Sequence, residues 1–156
     1  MREEPTENVL KRIFEANSKE QINNLLKDEN ITTDRTFPDF FNEYLSNNMN
    51  LSLPEIIQDS CLSRTYAYQI INGTRSNISR EYVLALCYAA RMNSDEVNHA
   101  LVFSGNQQLY AKNRRDALLI FMFKQNRKDK QSTITGLNIT LSESGFAPIK
   151  TSKGRD

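Results

Sequence analysis

The chain has no tryptophan, one histidine, two cysteines, five glycines and four prolines in 156 residues. Each shortage excludes something. So little Gly and Pro disfavours a β-sandwich, which needs a turn every few residues. Cys61 and Cys87 fit no metal or redox spacing and read as reduced, small core residues. His99 has no Ser or Cys framework around it, so a hydrolytic triad is not expected. No glycine-rich phosphate loop is present. The carboxylates Asp95 and Glu96 are explained as helix-start residues, where the dipole favours them. An enzyme is therefore not expected, nor a cofactor or a metal. No apolar run nears the ~18 residues of a membrane span. The longest, "ALLIFMF" at 117–123, suits the middle of a buried helix. The opening "MREEPTENVL" lacks a basic start followed by an apolar stretch, so no secretion signal is expected. These absences point to a globular, cytoplasmic chain with no membrane partner.

What is present is charge, unevenly spread. The formal net charge is +1, yet residues 1–60 sum to −6 and residues 61–156 to +7. A basic part beside an acidic part is what a polyanion-binding surface needs, although a charged run is also an ordinary solvated face.

Apolar spacing predicts an all-α fold of about eight helices. Val9, Leu10, Ile13 and Phe14 recur at one-turn spacing. Ser18 with Gln21 makes a capping box ahead of Ile22, Leu25 and Leu26. "DENITTDR" at 28–35 is a polar break. Thr36 caps a helix with Phe37, Phe40, Phe41, Tyr44, Leu45 and Met49 on one face. Ser52 caps a short helix with Pro54 in its first turn. Ser63 caps the next, with Ala67, Ile70 and Ile71 inward and Asn72-Gly73 at its end. Ser79 and Ser94 open two more, the second closed by Gly105. Asn113 with Asp116 caps "ALLIFMF". The tail "TGLNITL" alternates like a strand, but an internal echo decides for helix. "VNHALVFSGNQQL" at 97–109 and "LNITLSESGFAPI" at 137–149 share apolar-Asn-x-x-Leu-x-x-Ser-Gly-x-x-x-apolar. Each follows an apolar helix, which predicts one helical hairpin used twice.

Residues 51–73 carry the chemistry. Two Ser-capped short helices meet at Cys61-Leu62, a joint too short for an antiparallel hairpin. They should cross steeply, as in a helix-turn-helix. The second helix then points its first turns into the major groove. Arg64, Thr65, Tyr68 and Gln69 are the base-reading candidates. Arg bridges guanine O6 and N7, Gln bridges adenine N6 and N7, and Thr meets an acceptor or a thymine methyl. Asn72 and Arg75 are placed for phosphates, and Tyr66 packs its ring inward with its hydroxyl toward phosphate. Lys112, Arg114 and Arg115 form a second basic site. Cations in a first helical turn oppose the dipole, which suggests an anionic partner: phosphate or the acidic N-terminal half.

On "LSLPEIIQDSCLSRTYAYQIINGTR", the spacing of Ser52 and Ser63, and the "Q-x-x-N-G-T" ending, the chain resembles the XRE (Cro/C1-type) helix-turn-helix family over about residues 36–103. "LYAKNRRDALLIF" also looks like an extension found in a group of bacterial XRE-type proteins. The resemblance implies a lambda-repressor-like five-helix core, binding to a double-stranded DNA operator, and a dimeric repressor role. Three positions depart from the family. Leu53 replaces the usual phosphate-clamping Gln, Ile57 a small residue, and Cys61 the Gly of the turn. They put DNA affinity in question, and leave as the alternative a helical module with a degenerate helix-turn-helix that binds a protein partner.

The expected layout is an N-terminal helical arm (1–30), a helix-turn-helix core (36–105) and a C-terminal helical extension (106–149). The function expected is sequence-specific DNA binding by a homodimer, a repressor or mobile-element regulator. "ALLIFMF" is apolar on nearly every side, so Leu119 or Phe123 is expected to stay exposed and form a two-fold contact.

Overall fold

The computed structural model describes residues 6–27 and 35–151. Among these residues there are nine α-helices and no strand. No helix among them is long and apolar enough to cross a membrane. The chain falls into two compact units, Met1–Arg35 and Thr36–Asp156.

In the first unit, α1 (Thr6–Glu15) and α2 (Lys19–Lys27) follow the apolar spacing. The Ser18 hydroxyl accepts from the Gln21 amide at 3.2 Å. The Gln21 side chain reaches back to the Asn17 N–H rather than that of Ser18, so the capping box is shifted by one residue. Leu10, Ile13, Phe14 and Leu26 are exposed. The polar break expected at 28–35 lies, apart from Arg35, outside the described residues.

The second unit holds α3 (Phe37–Ser46), α4 (Leu53–Ser60), α5 (Arg64–Ile71), α6 (Arg80–Ala89), α7 (Ser94–Phe103), α8 (Arg114–Gln125) and α9 (Ile134–Glu143). The caps are those the sequence suggests. Thr36 and Asp39 form a reciprocal box, and Ser52, Ser63, Ser79 and Asn113 each accept from an amide three residues on; Thr133, not singled out in the sequence, caps α9 in the same way. One cap moves. Asn93, not Ser94, opens α7, because Asn93 and Glu96 bond each other's backbone in a full capping box.

Helix α6 is the axis of this unit. Residues 83–90 are all buried, under α4, α7 and α9. α3 packs on α5 and α7, and α8 on α7 and α9. Apolar burial supplies the main drive, at about 25 cal/mol per Å² removed from water. Phe37, Phe41 and Tyr44 are buried as expected. Met49 is not: α3 ends at Ser46, where Asn47 caps it, and Met49 in the following turn is 87% exposed.

The echo in the sequence is a repeat in the structure. Gly105 and Gly145 take left-handed φ values of 75° and 81° after α7 and α9. Past each glycine the chain folds back the same way. The N–H groups of Asn106 and Phe146 donate to Leu101 O and Leu141 O. Leu109 N–H donates to Asn98 Oδ1 at 3.0 Å, and Ile149 N–H to Asn138 Oδ1 at 2.7 Å. The preceding helices match too, with Arg80-Glu81 and Arg115-Asp116 at equivalent places. Arg80 donates to both oxygens of Asp116 and to the carbonyls of Gln107 and Gln108. Arg115 donates to both oxygens of Glu81 and to the carbonyls of Ala147 and Pro148. Tyr88 and Phe123, also equivalent, meet edge to face at 5.2 Å. The two hairpins, α6–α7 and α8–α9, thus clasp each other reciprocally.

This clasp overturns the expected two-fold contact. Leu119 and Phe123 are both 0% exposed, covered within their own chain. The exposed side of α8 carries Arg114, Ala117, Phe121 and Lys124 instead.

Candidate functional site

The joint between α4 and α5 is set by three residues. Cys61 adopts φ 59°, ψ 17°, a left-handed conformation that costs a non-glycine residue about 1 kcal/mol or more. Ser60, buried, donates its hydroxyl to Ile57 O at 2.6 Å and accepts from Leu62 N–H at 3.2 Å. Ser63 then caps α5 through the Tyr66 amide at 3.2 Å. Ile57 is accommodated, being buried along with Ile56.

Helix α5 buries Ala67, Ile70 and Ile71. Its far side is open. Arg64, Thr65 and Asn72 are exposed, and Tyr68 keeps 36% of its surface. Gln69 is half-buried and engaged: its Oε1 accepts from Arg75 Nε at 3.3 Å and Nη2 at 3.1 Å. The Arg75 guanidinium lies 3.8 Å from the centre of the Tyr66 ring. Tyr66 in turn meets Tyr82 of α6 edge to face at 5.5 Å. Gln69, Arg75, Tyr66 and Tyr82 therefore form one connected row from the open face of α5 to α6.

The end of α5 is held by its own polar residues. Asn72 Oδ1 accepts from Thr74 N–H at 2.8 Å, and Gly73 takes φ 83°. Asn42 of α3 donates to Ile71 O at 3.2 Å and to Pro38 O at 2.8 Å, tying α3 to the last turn of α5. Sequence reasoning did not single out Asn42. Its only signal was an amide side chain one turn beyond Pro38 on the polar side of an amphipathic helix.

The second basic site divides. Lys112 and Arg114 are exposed. Arg115 is half-buried, and its guanidinium is taken up by Glu81 and two carbonyls. Its position in a first helical turn is therefore explained by an anionic partner inside the fold. Arg80, likewise engaged with Asp116, went unnoticed in the sequence because its partner is 36 residues away.

Comparison with protein-family models, curated proteins and solved structures finds no match for this chain.

Proposed function

We propose that this protein is a sequence-specific double-stranded DNA-binding regulator that lays α5 in the major groove. One observation carries the reading. A Ser-capped helix, braced by α4 through a three-residue joint, leaves Arg64, Thr65 and Tyr68 free on its open side. Those residue types at the start of such a helix suit base edges. The likeness to XRE-type sequences over residues 36–103 adds to it. In this reading Arg64, Thr65, Tyr68 and Gln69 read bases, and Tyr66, Asn72, Arg75, Lys112 and Arg114 face phosphates. We leave Arg115 out, since its donors are engaged internally. Gln69 enters base reading only by releasing Arg75, which then turns to phosphate. One helix reads only a few base pairs, so the regulator acts as a homodimer on paired half-sites, as a repressor or mobile-element regulator.

A second reading has one observation behind it. The Gln69–Arg75–Tyr66 row fixes side chains that a DNA reader needs to move, which suits a surface built for a protein partner. Selection of sites from random duplexes tests both. Enrichment of a palindrome supports the regulator. No retention on random duplex even at low salt rejects it and favours the partner reading.

A further inference from the structure

Between the end of α5, the turn at 72–79, the start of α6 and the segment after Ile149 lies a cavity of about 740 Å³. That is within the usual range for a small-molecule site, roughly 300–1,000 Å³. Its walls differ in character. Tyr66 and Tyr82 set an edge-to-face aromatic corner above Ile70. Two cations also line it: Arg75, whose guanidinium is stacked on the Tyr66 ring, and Lys150. Among the described residues the Lys150 ammonium makes no hydrogen bond or ion pair. The ten-residue helix α6 starts at this end of the cavity, with its cap Ser79 and its first-turn residues Glu81 and Tyr82 in the lining. Asn77 holds a left-handed φ of 55° and adds a side-chain amide to the lining. One carboxylate, Glu81, also lines the cavity. Both its oxygens are occupied, by Arg115 and by the Lys150 N–H, so its charge is already balanced.

We infer that this cavity binds a nucleoside monophosphate. The base lies against Tyr82, with Asn77 at its polar edge, and the phosphate sits between Lys150 and the Arg75 guanidinium stacked on Tyr66. An aromatic corner suits a flat ring, and two cations beside a helix start suit a dianion. A neutral ring or a bare phosphate satisfies only half of the walls. Arg75 is shared with Gln69, so a phosphate drawing the guanidinium inward frees the Gln69 amide on the open face of α5. That second effect reaches DNA only if the regulator reading holds.

The test is titration of the ¹⁵N-labelled full chain with AMP, GMP, CMP and UMP, without DNA. At least one should bind with a Kd below about 1 mM and shift the Gln69 side-chain amide. Adenosine or guanosine alone, and inorganic phosphate alone, should bind about tenfold more weakly. Lys150→Ala should weaken binding about tenfold, and Lys124→Ala, on exposed α8, should stay within about twofold. The inference is overturned if none of the four binds, or if Lys124→Ala costs as much as Lys150→Ala. If duplex DNA alone binds and Lys150→Ala weakens it, the cavity is a seat for backbone phosphate. The free-ligand inference then falls and the regulator reading stands. If a nucleotide binds and no duplex does, the reverse holds.

Discussion

Arg80 and Asp116 form one arm of a double clasp: two guanidinium N–H groups meet two carboxylate oxygens, at 3.2 and 2.8 Å. Arg115 and Glu81 form the other arm with the same pattern. Each joins the start of α6 to the start of α8 in the opposite sense. Asp116 also accepts from Tyr110 N–H and Glu81 from Lys150 N–H, again at matching places. Removing one arginine leaves a shielded carboxylate and two carbonyls short of donors. Arg80→Ala should therefore cost about 2–3 kcal/mol, somewhat below the range for a fully buried pair, because Arg80 is partly exposed. Removing both arginines should cost less than the sum if the two arms share load through the helix starts. Chemical denaturation of the single and double variants measures that coupling.

The two asparagines of the repeat allow a sharper comparison. Asn98 and Asn138 each accept the backbone N–H that closes the turn after their hairpin. Asn138 also donates to Ile149 O at 3.3 Å. Asn98→Ala and Asn138→Ala should each lose about 1–2 kcal/mol, with the larger loss for Asn138. If only one of them matters, the turns are alike in shape but not in energetics.

Much of this was legible in the sequence, and the pattern of misses is physical. Caps were readable because an N-cap acts within three residues. Ser63 and Thr36 declared themselves for that reason, and Asn93 was missed only because Ser94 stands beside it. The repeat was readable because its Asn, Leu and Ser-Gly each have a local job in the turn. Burial of Leu119 and Phe123 was not readable. It depends on where α8–α9 docks, and the clasp that fixes the docking links residues more than thirty apart. The exposed candidates Arg64, Thr65 and Tyr68 follow from helical phase. The tie between Gln69 and Arg75 required the path of the turn after Gly73.

Cys61 offers a test of the joint. Its left-handed conformation suits Gly best and a β-branched residue worst. Its sulfur also lies 3.5 Å from Thr135 Oγ1 of α9. Cys61→Gly gains backbone ease but loses that contact and adds unfolded-state freedom, so it should change stability by less than about 1 kcal/mol. Cys61→Val should lose about 2 kcal/mol. Thermal melts of the two variants separate strain from packing.

Stability should fall on the alkaline side, and the order of events can be stated. Burial pushes the Cys87 thiol well above its ordinary value of 9.0. Burial likewise raises Tyr88 from 10.0, and burial with the nearby Glu96 charge raises Tyr44. The folded protein holds these protons while the unfolded chain releases them. The unfolded state then binds fewer protons, so stability drops as pH rises through the unfolded values. Cys87 should open the loss near pH 9, at a slope of about 1.4 kcal/mol per pH unit, and the tyrosines should steepen it above pH 10. Cys87→Ala should shift the onset upward toward that of the tyrosines. Urea midpoints between pH 7 and 11 would show this, and an unchanged onset would remove Cys87 as its source.

The regulator reading makes Arg64 and Arg75 behave differently on DNA. Arg64 is exposed in the first turn of α5, with its guanidinium free to reach a base edge. Arg75 lies beyond the helix end, bonded to Gln69 and stacked on Tyr66. If Arg64 bridges a guanine, Arg64→Ala should cost about 1–3 kcal/mol on the selected site and relax one position of it, with little effect on random duplex. Arg75→Ala should weaken every sequence alike and lower the salt dependence by about one phosphate contact. In the bound state Gln69 has already released Arg75, so preference at the base pair that Gln69 meets should be unchanged. Gln69→Ala should remove that preference and leave Arg75 free for phosphate, so affinity for random duplex should hold. Binding isotherms for the three variants on selected and random duplexes, at two salt concentrations, distinguish these outcomes. Equal losses on both duplexes for Arg64→Ala would mean that α5 is not reading bases.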